Sequence, residues 1–223
     1  MNVSYETRRQ ELTRYFDRTA ASAWTQLTSD APVSRIRATV RAGRDEMRAQ
    51  LLAWLPQDLR GRTLFDAGCG TGSLAVDVSP TLIEVARRRT PSELASRIDF
   101  AVGDMLDGGG GRFDYVVAMD SLIHYDRDDI LRALSALGAI AEQRVVMTFA
   151  PRTAALSLMH AVGRMFPRGS HRAPAIEPVS ERSLCDGIRD SEALADWSIG
   201  RTRRISVGFY VSQGLELERA CDG

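Results

Sequence analysis

The chain has 223 residues, of which 44% are hydrophobic and 26% charged, enough apolar material for the core of one domain with modest additions. Twenty-nine basic residues, all Arg, balance 29 acidic ones, so no net charge argues for a nucleic-acid partner. Cys69, Cys185 and Cys221 are odd in number and far apart, which excludes a disulfide framework and a zinc site, and no apolar run approaches the ~20 residues of a membrane span.

Residues 5–28 and 33–55 are expected to be helical, the second carrying an apolar stripe through Val33, Ile36, Val40, Met47, Leu51 and Leu55 before Pro56 ends it. Leu64-Phe65 opens the first strand. Asp77-Val78-Ser79-Pro80 reads as a strand end followed by a helix cap, with Ser79 at the N-cap and Pro80 in the first turn of a helix over 81–89. Ile98–Val102 alternates as a strand, Phe113–Met119 is an apolar run fit for a central parallel strand, 128–141 is a helix and Arg144–Phe149 another strand. Residues 151–175 break the rhythm as a basic, proline-bearing insert. Helix 181–195, strand 197–207 and the run Phe209-Tyr210-Val211-Ser212 follow, the last two suited to an antiparallel hairpin around Gly208. The alternation predicts an α/β fold: a doubly wound, mostly parallel, Rossmann-like sheet with a helical N-terminal lid and a lid insert. The expected division is 1–57 for the lid, 58–150 for the ligand-binding core, 151–180 for the substrate-lid insert and 181–223 for the remainder of the core.

The most informative stretch is Leu64-Phe65-Asp66-Ala67-Gly68-Cys69-Gly70-Thr71-Gly72. A strand opening through an acid into closely spaced glycines lets a ligand lie directly against the backbone. The spacing differs from the dinucleotide fingerprint and resembles motif I of class I S-adenosylmethionine-dependent methyltransferases; a nucleotide site and a plain tight turn are the alternatives. In that reading Gly68, Cys69, Gly70, Thr71 and Gly72 cradle the methionine end of the cofactor, Asp77 takes the ribose hydroxyls, and Asp104 and Met105 contact adenine. Asp66, Asp104 and Asp120 each close an apolar strand, so the three line one crevice at the carboxyl edge of the sheet. Only Ser73-Leu74-Ala75-Val76 separate Gly72 from Asp77, whereas a β-α-β crossover needs a dozen residues or so including its helix. Either the first crossover is truncated by roughly that length after Ala75, or Asp77 is not the ribose acid; the strand-end character of Asp77–Pro80 favours truncation.

Leu122-Ile123-His124-Tyr125, Phe149-Ala150-Pro151-Arg152-Thr153 and Gly163-Arg164-Met165-Phe166-Pro167 narrow the resemblance. Together with Tyr15-Phe16-Asp17 and Trp24, Arg41-Ala42-Gly43 and Phe209–Ser212, they are similar to the magnesium-protoporphyrin IX O-methyltransferases of chlorophyll and bacteriochlorophyll synthesis, over residues 12–219. The resemblance implies esterification of one propionate of a magnesium porphyrin by S-adenosylmethionine, with no protein-bound metal. It implies His124 and Tyr15 as catalytic residues, His124 orienting a carboxylate oxygen by hydrogen bonding, and Trp24, Arg164, Phe166 and Arg168 as substrate contacts. Thr28 departs from the Tyr that family members commonly carry after the Trp, which is why Tyr15 is the aromatic assigned. A cytoplasmic location, peripheral to the photosynthetic membrane, and a magnesium chelatase subunit as partner are also implied. A class I methyltransferase for another small molecule and a non-catalytic, cofactor-binding scaffold of the same pathway are the competing readings.

Overall fold

The structure is a computed structural model that describes residues 3–17, 27, 32–68, 75–152 and 175–220. In chain order the elements are α1 (Val3–Tyr15), α2 (Arg35–Trp54), β1 (Leu64–Asp66), β2 (Ala75–Asp77), α3 (Pro80–Arg89), the short α4 (Ser92–Ala95) and β3 (Phe100–Val102). They continue with β4 (Phe113–Ala118), α5 (Arg127–Ile140), β5 (Ala141–Phe149), α6 (Glu181–Arg189), β6 (Trp197–Val207) and β7 (Tyr210–Arg219). Five strands form one sheet in the order β1-β4-β5-β7-β6, and β2 and β3 pair with each other beside β1. The β1–β4, β4–β5 and β2–β3 pairs are parallel, while β7 runs antiparallel to both β5 and β6. This is the expected open α/β sheet, with the hairpin around Gly208 supplying its antiparallel end.

Period-two alternation decides which face each side chain covers. Val116 and Ala118 of β4, Val145 and Met147 of β5 and Leu215 and Leu217 of β7 share one cluster with Ile130, Ala133, Leu134 and Leu137 of α5. Tyr5 and Leu12 of α1 join the same cluster. The alternate residues Tyr115, Val146 and Ile205 meet Met47, Leu51 and Trp54 of α2 on the opposite face. Both faces of the sheet are therefore covered, as its parallel strands require. The predicted stripe of α2 holds from Val40 onward, whereas Ile36 is 54% exposed.

Several local signals appear as read. Ser79 caps α3, its Oγ accepting from Leu82 N at 3.2 Å with Pro80 in the first turn. Several boundaries differ from expectation: β3 begins at Phe100, two residues later than predicted, and the last strand, read over Phe209–Ser212, runs from Tyr210 to Arg219. β5 starts at Ala141, three residues earlier than predicted, and takes Glu142 and Gln143 into the strand, where Gln143 bridges to Asp114 and Tyr115. The helix predicted over 181–195 ends at Arg189, with a separate turn of 3-10 helix over Glu192–Leu194. The insert over 153–174 lies outside the described residues.

α2 is pinned to the sheet at both ends. The Trp54 carbonyl accepts from the guanidiniums of Arg201, at 2.8 Å, and Arg144. Arg144 and Arg201 both pair with the fully buried Glu216, which neutralises its charge. Towards the other end, Gly43 sits under the ring of Tyr210: a Cβ there would lie 2.5–2.8 Å from Tyr210 side-chain atoms. Helix propensity alone favours Ala at an interior position, so this glycine marks a close approach. Gly43→Ala is expected to lower stability to urea by about 1–3 kcal/mol, the range for overpacking. In a Tyr210→Ala background the same substitution should become neutral or stabilising, and a Gly43→Ala effect that ignored residue 210 would contradict the close approach.

Candidate active site

Four acids close strands along the carboxyl edge: Asp66 on β1, Asp77 on β2, Asp104 after β3 and Asp120 after β4. The backbone turns out of β1 at Gly68, whose φ of 86° is open to glycine at no steric expense. A Cβ at Gly68 would stand 2.5 Å from the Cβ of Ser121 and 3.3 Å from its Oγ, so the β1 turn and the β4 exit interlock through a missing side chain. Cys69, Gly70, Thr71 and Gly72 lie outside the described residues, as do Trp24, Arg164, Phe166 and Arg168.

Desolvation, and after it the negative charge of Asp77, push the Asp66 carboxyl up to about 8, against the opposing pull of Arg48 and Arg44. An acid held protonated at neutral pH is poised to ionise when a cation arrives. Asp77 is 8% exposed; its Oδ1 accepts from Ser79 N at 2.8 Å. Ser79 Oγ donates in turn to Asp17 Oδ1 at 2.5 Å, tying the end of the N-terminal segment to this corner.

Asp104 is also tied to the N-terminus. Its Oδ1 accepts from Tyr5 Oη at 2.7 Å and from Leu106 N at 3.0 Å, and Arg9 Nε lies 3.5 Å from Oδ2. Tyr5 is 2% exposed and stacks on Tyr125 with ring centroids 4.9 Å apart. Burial and the neighbouring Tyr125 raise the Tyr5 hydroxyl far above its ordinary range, so it acts here as a donor and never as a phenolate. Met105 is buried in the adjoining core cluster. Tyr15 is half-buried and meets Phe16 edge-on at 5.3 Å.

Asp120 is the centre of the site's densest network. It has φ of 56°, the sole positive φ at a non-glycine among the described residues. Its Oδ2 pairs with Arg44 at 2.6 Å; its Oδ1 accepts from Tyr210 Oη at 3.0 Å and Thr148 Oγ1 at 3.3 Å; and its own N–H donates to Thr148 Oγ1 at 2.7 Å. The carboxylate expected to touch a cofactor is thus committed to α2, β5 and β7. Of its partners, Arg44 and Thr148 stood only beside the Arg41-Ala42-Gly43 and Phe149–Thr153 blocks and Tyr210 within the Phe209–Ser212 block, and none carried a signal of this partnership.

His124 follows on the same loop. Its Nδ1 donates to the Ala175 carbonyl at 3.0 Å, which leaves Nε2 as a lone pair in the neutral ring. Desolvation, aided by the Arg8 charge, lowers its pKa below the usual range despite the Ala175 bond and the Asp120 charge. Residues 175–179 hold the loop from outside: Glu177 N donates to Ile123 O at 2.9 Å, and Arg8 of α1 pairs with Glu177 at 3.0 Å. Beside them a groove carries Arg127 and Arg152 on its wall. Among the described residues no cluster of His, Cys, Asp and Glu fits a metal ion.

Comparison with known proteins converges on one group. The model for the magnesium-protoporphyrin IX methyltransferase C-terminus matches residues 118–219, and a general methyltransferase-domain model matches 64–143. The magnesium-protoporphyrin O-methyltransferase of Rhodobacter capsulatus is 44% identical over 229 positions, covering 97% of this chain and 99% of its own; that of Synechocystis is 29% identical over 92% and 94%. The crystal structure of magnesium protoporphyrin IX methyltransferase from Synechocystis PCC 6803 with bound SAH matches with a TM-score of 0.80 at 28% identity, covering 95% of this chain and 100% of that one. Since 229 positions take in only 97% of 223 residues, about a dozen face a gap in this chain, a length close to that of a helix-bearing crossover. With its near-complete coverage of a relative at 44% identity, the chain belongs to the magnesium-protoporphyrin O-methyltransferase family.

Proposed function

We propose that the chain is an S-adenosylmethionine-dependent O-methyltransferase that esterifies one propionate of magnesium protoporphyrin IX on the way to (bacterio)chlorophyll. The observation that carries this reading is 44% identity along almost the whole of the Rhodobacter enzyme, joined to a strand-edge crescent of acids in the order the cofactor needs. The approximate dozen gapped positions belong, in this reading, between Gly68 and Ala75, where six residues leave no room for a crossover helix.

The residues present fit the cofactor. Gly68 offers bare backbone at the mouth of β1, and Asp66 beside it supplies a carboxyl that ionises against an ammonium group. Asp77 serves the ribose. Asp104, with Oδ1 committed to Tyr5 and Leu106, turns Oδ2, which Arg9 Nε meets at 3.5 Å, to the adenine amino group, and Met105 supplies the thioether under the ring. Asp120 acts as a positioning residue. When bound, the cofactor supplies an electrophilic methyl on a sulfonium. The chain contributes alignment and exclusion of water, and good positioning of two reactants is worth about 7–11 kcal/mol.

His124 takes a role different from the donor expected from sequence. Nδ1 is held by Ala175, so Nε2 accepts. A propionic acid drawn out of water holds its proton more tightly; Nε2 removes that proton and leaves the carboxylate oxygen free to attack the methyl carbon as the C–S bond pair returns to sulfur. Arg152 and Arg127 on the adjoining groove suit the second propionate; Trp24, Arg164, Phe166 and Arg168 belong to this reading as substrate contacts and Tyr15 as a catalytic residue. The lid division, magnesium chelatase partnership and peripheral membrane position belong to the same reading. No helix among the described residues is long and apolar enough to cross a membrane.

Incubating the chain with S-adenosylmethionine and magnesium protoporphyrin IX should yield the monomethyl ester by chromatography and mass spectrometry. His124→Ala should lower kcat about 100-fold or more and move the acid limb of its pH profile upward, since the buried propionic acid then stays protonated to higher pH. Unchanged turnover and an unchanged acid limb would remove His124 from the chemistry.

Asp66 makes a separate prediction. Its folded pKa lies above the ordinary carboxyl value, so the folded chain holds a proton that the unfolded chain has lost. Stability without ligand should therefore fall as pH rises between about 4 and 8, and less so in Asp66→Asn. Binding of an ammonium-bearing cofactor at pH 7 should release a proton, read as a dependence of calorimetric heat on buffer ionisation enthalpy. Heat independent of buffer in the parent chain would contradict the assignment.

A further inference from the structure

Ser121 has no part in the assignments above, yet it is the residue on which the two strand exits converge. Its Oγ is buried and makes no hydrogen bond among the described residues. Its side chain fills the space that Gly68 leaves empty, with Oγ 3.3 Å and Cβ 2.5 Å from the position a Gly68 Cβ would take. Its direction is set by the preceding residue, because Asp120 at φ 56° turns the chain sharply off β4 and is held there by Arg44, Tyr210 and Thr148. A buried hydroxyl left without a partner is unfavourable, and this one is retained against the first glycine of the turn. The unmet hydrogen bond, the interlock with Gly68 and the enforced direction are three features of one spot.

We infer that Ser121 Oγ is a binding contact for the amino-acid end of the cofactor, donating to its carboxylate while Asp66 takes the ammonium. The inference rests on the cofactor assignment under Proposed function and adds to it a residue for one end of the ligand. Topology separates the two ends. Asp77 and Asp104, which serve the nucleoside, stand at the exits of β2 and β3, whereas Ser121 stands at the exit of β4, across β1. A hydroxyl both donates and accepts, and a donor facing a carboxylate makes the stronger, charge-assisted bond.

The test is calorimetric binding of S-adenosylhomocysteine and of 5′-methylthioadenosine, which keeps the nucleoside and lacks the amino-acid end, to the parent chain and to Ser121→Ala. Alanine keeps the Cβ that packs against Gly68 and removes only the hydroxyl. The variant should bind S-adenosylhomocysteine about ten-fold or more weakly, as expected for loss of a bond to a charged group, with 5′-methylthioadenosine bound as by the parent. Unchanged affinity for S-adenosylhomocysteine overturns the inference, and so does equal weakening of both ligands, which marks a merely structural residue. A parent chain that binds neither ligand overturns the cofactor assignment itself, a result distinct from either of those.

Discussion

The site depends on one constrained residue. Asp120 occupies a left-handed backbone conformation that L-residues other than Asn and Asp rarely adopt, and such strain, of the order of 1–3 kcal/mol, persists only where surrounding contacts impose it. The contacts are explicit: a guanidinium from α2, a hydroxyl from β5 and a phenol from β7 converge on one carboxylate that is 4% exposed. One side chain therefore joins the helix over one sheet face, the central parallel strand and the antiparallel hairpin. The loop that leaves it carries Ser121 against the β1 turn and His124 against residue 175, so the course of that loop depends on the contacts of one carboxylate.

The N-terminal helix is built into the same edge from the other side. Tyr5 reaches Asp104 and Arg8 reaches Glu177, so α1 spans from the exit of β3 to the segment 175–179 that backs His124. The cluster that holds Tyr5 and Leu12 also holds the core of α5 and β5, which makes the position of α1 a matter of apolar burial and not of surface ion pairs, whose individual worth is small.

Local chemistry made much of the fold legible in the sequence. The Ser79-Pro80 cap, the apolar run of β4, the hairpin about Gly208 and the strand-closing acids each follow from a few adjacent residues. Periodicity also placed Met47 and Leu51 on the buried side of α2. It failed at Ile36, because a stripe tells which side of a helix is apolar and not how far the sheet beneath it extends. Partnerships were the larger omission. Tyr5 and Asp104 are 99 positions apart, and Asp120 and Tyr210 are 90 apart; a single sequence shows that each is polar and leaves open which polar group it meets. For the same reason Asp120 reads as one more ligand-facing acid, and the tautomer of His124, set by a carbonyl 51 residues away, is invisible. The short link between Gly72 and Asp77 was legible as an anomaly from length alone, and β2 nevertheless pairs with β3 in the expected parallel sense.

The central claim is that Asp120 couples α2, the β4 exit and the β6–β7 turn into one unit. Hydrogen exchange of the parent chain and of Asp120→Asn tests it directly, since Asn tolerates the same backbone conformation and removes the charge that Arg44 meets. Exchange should quicken together in residues 39–44, 120–125 and 208–213. An effect confined to the immediate neighbours of residue 120 would show that the three elements are held independently and that the coupling is illusory.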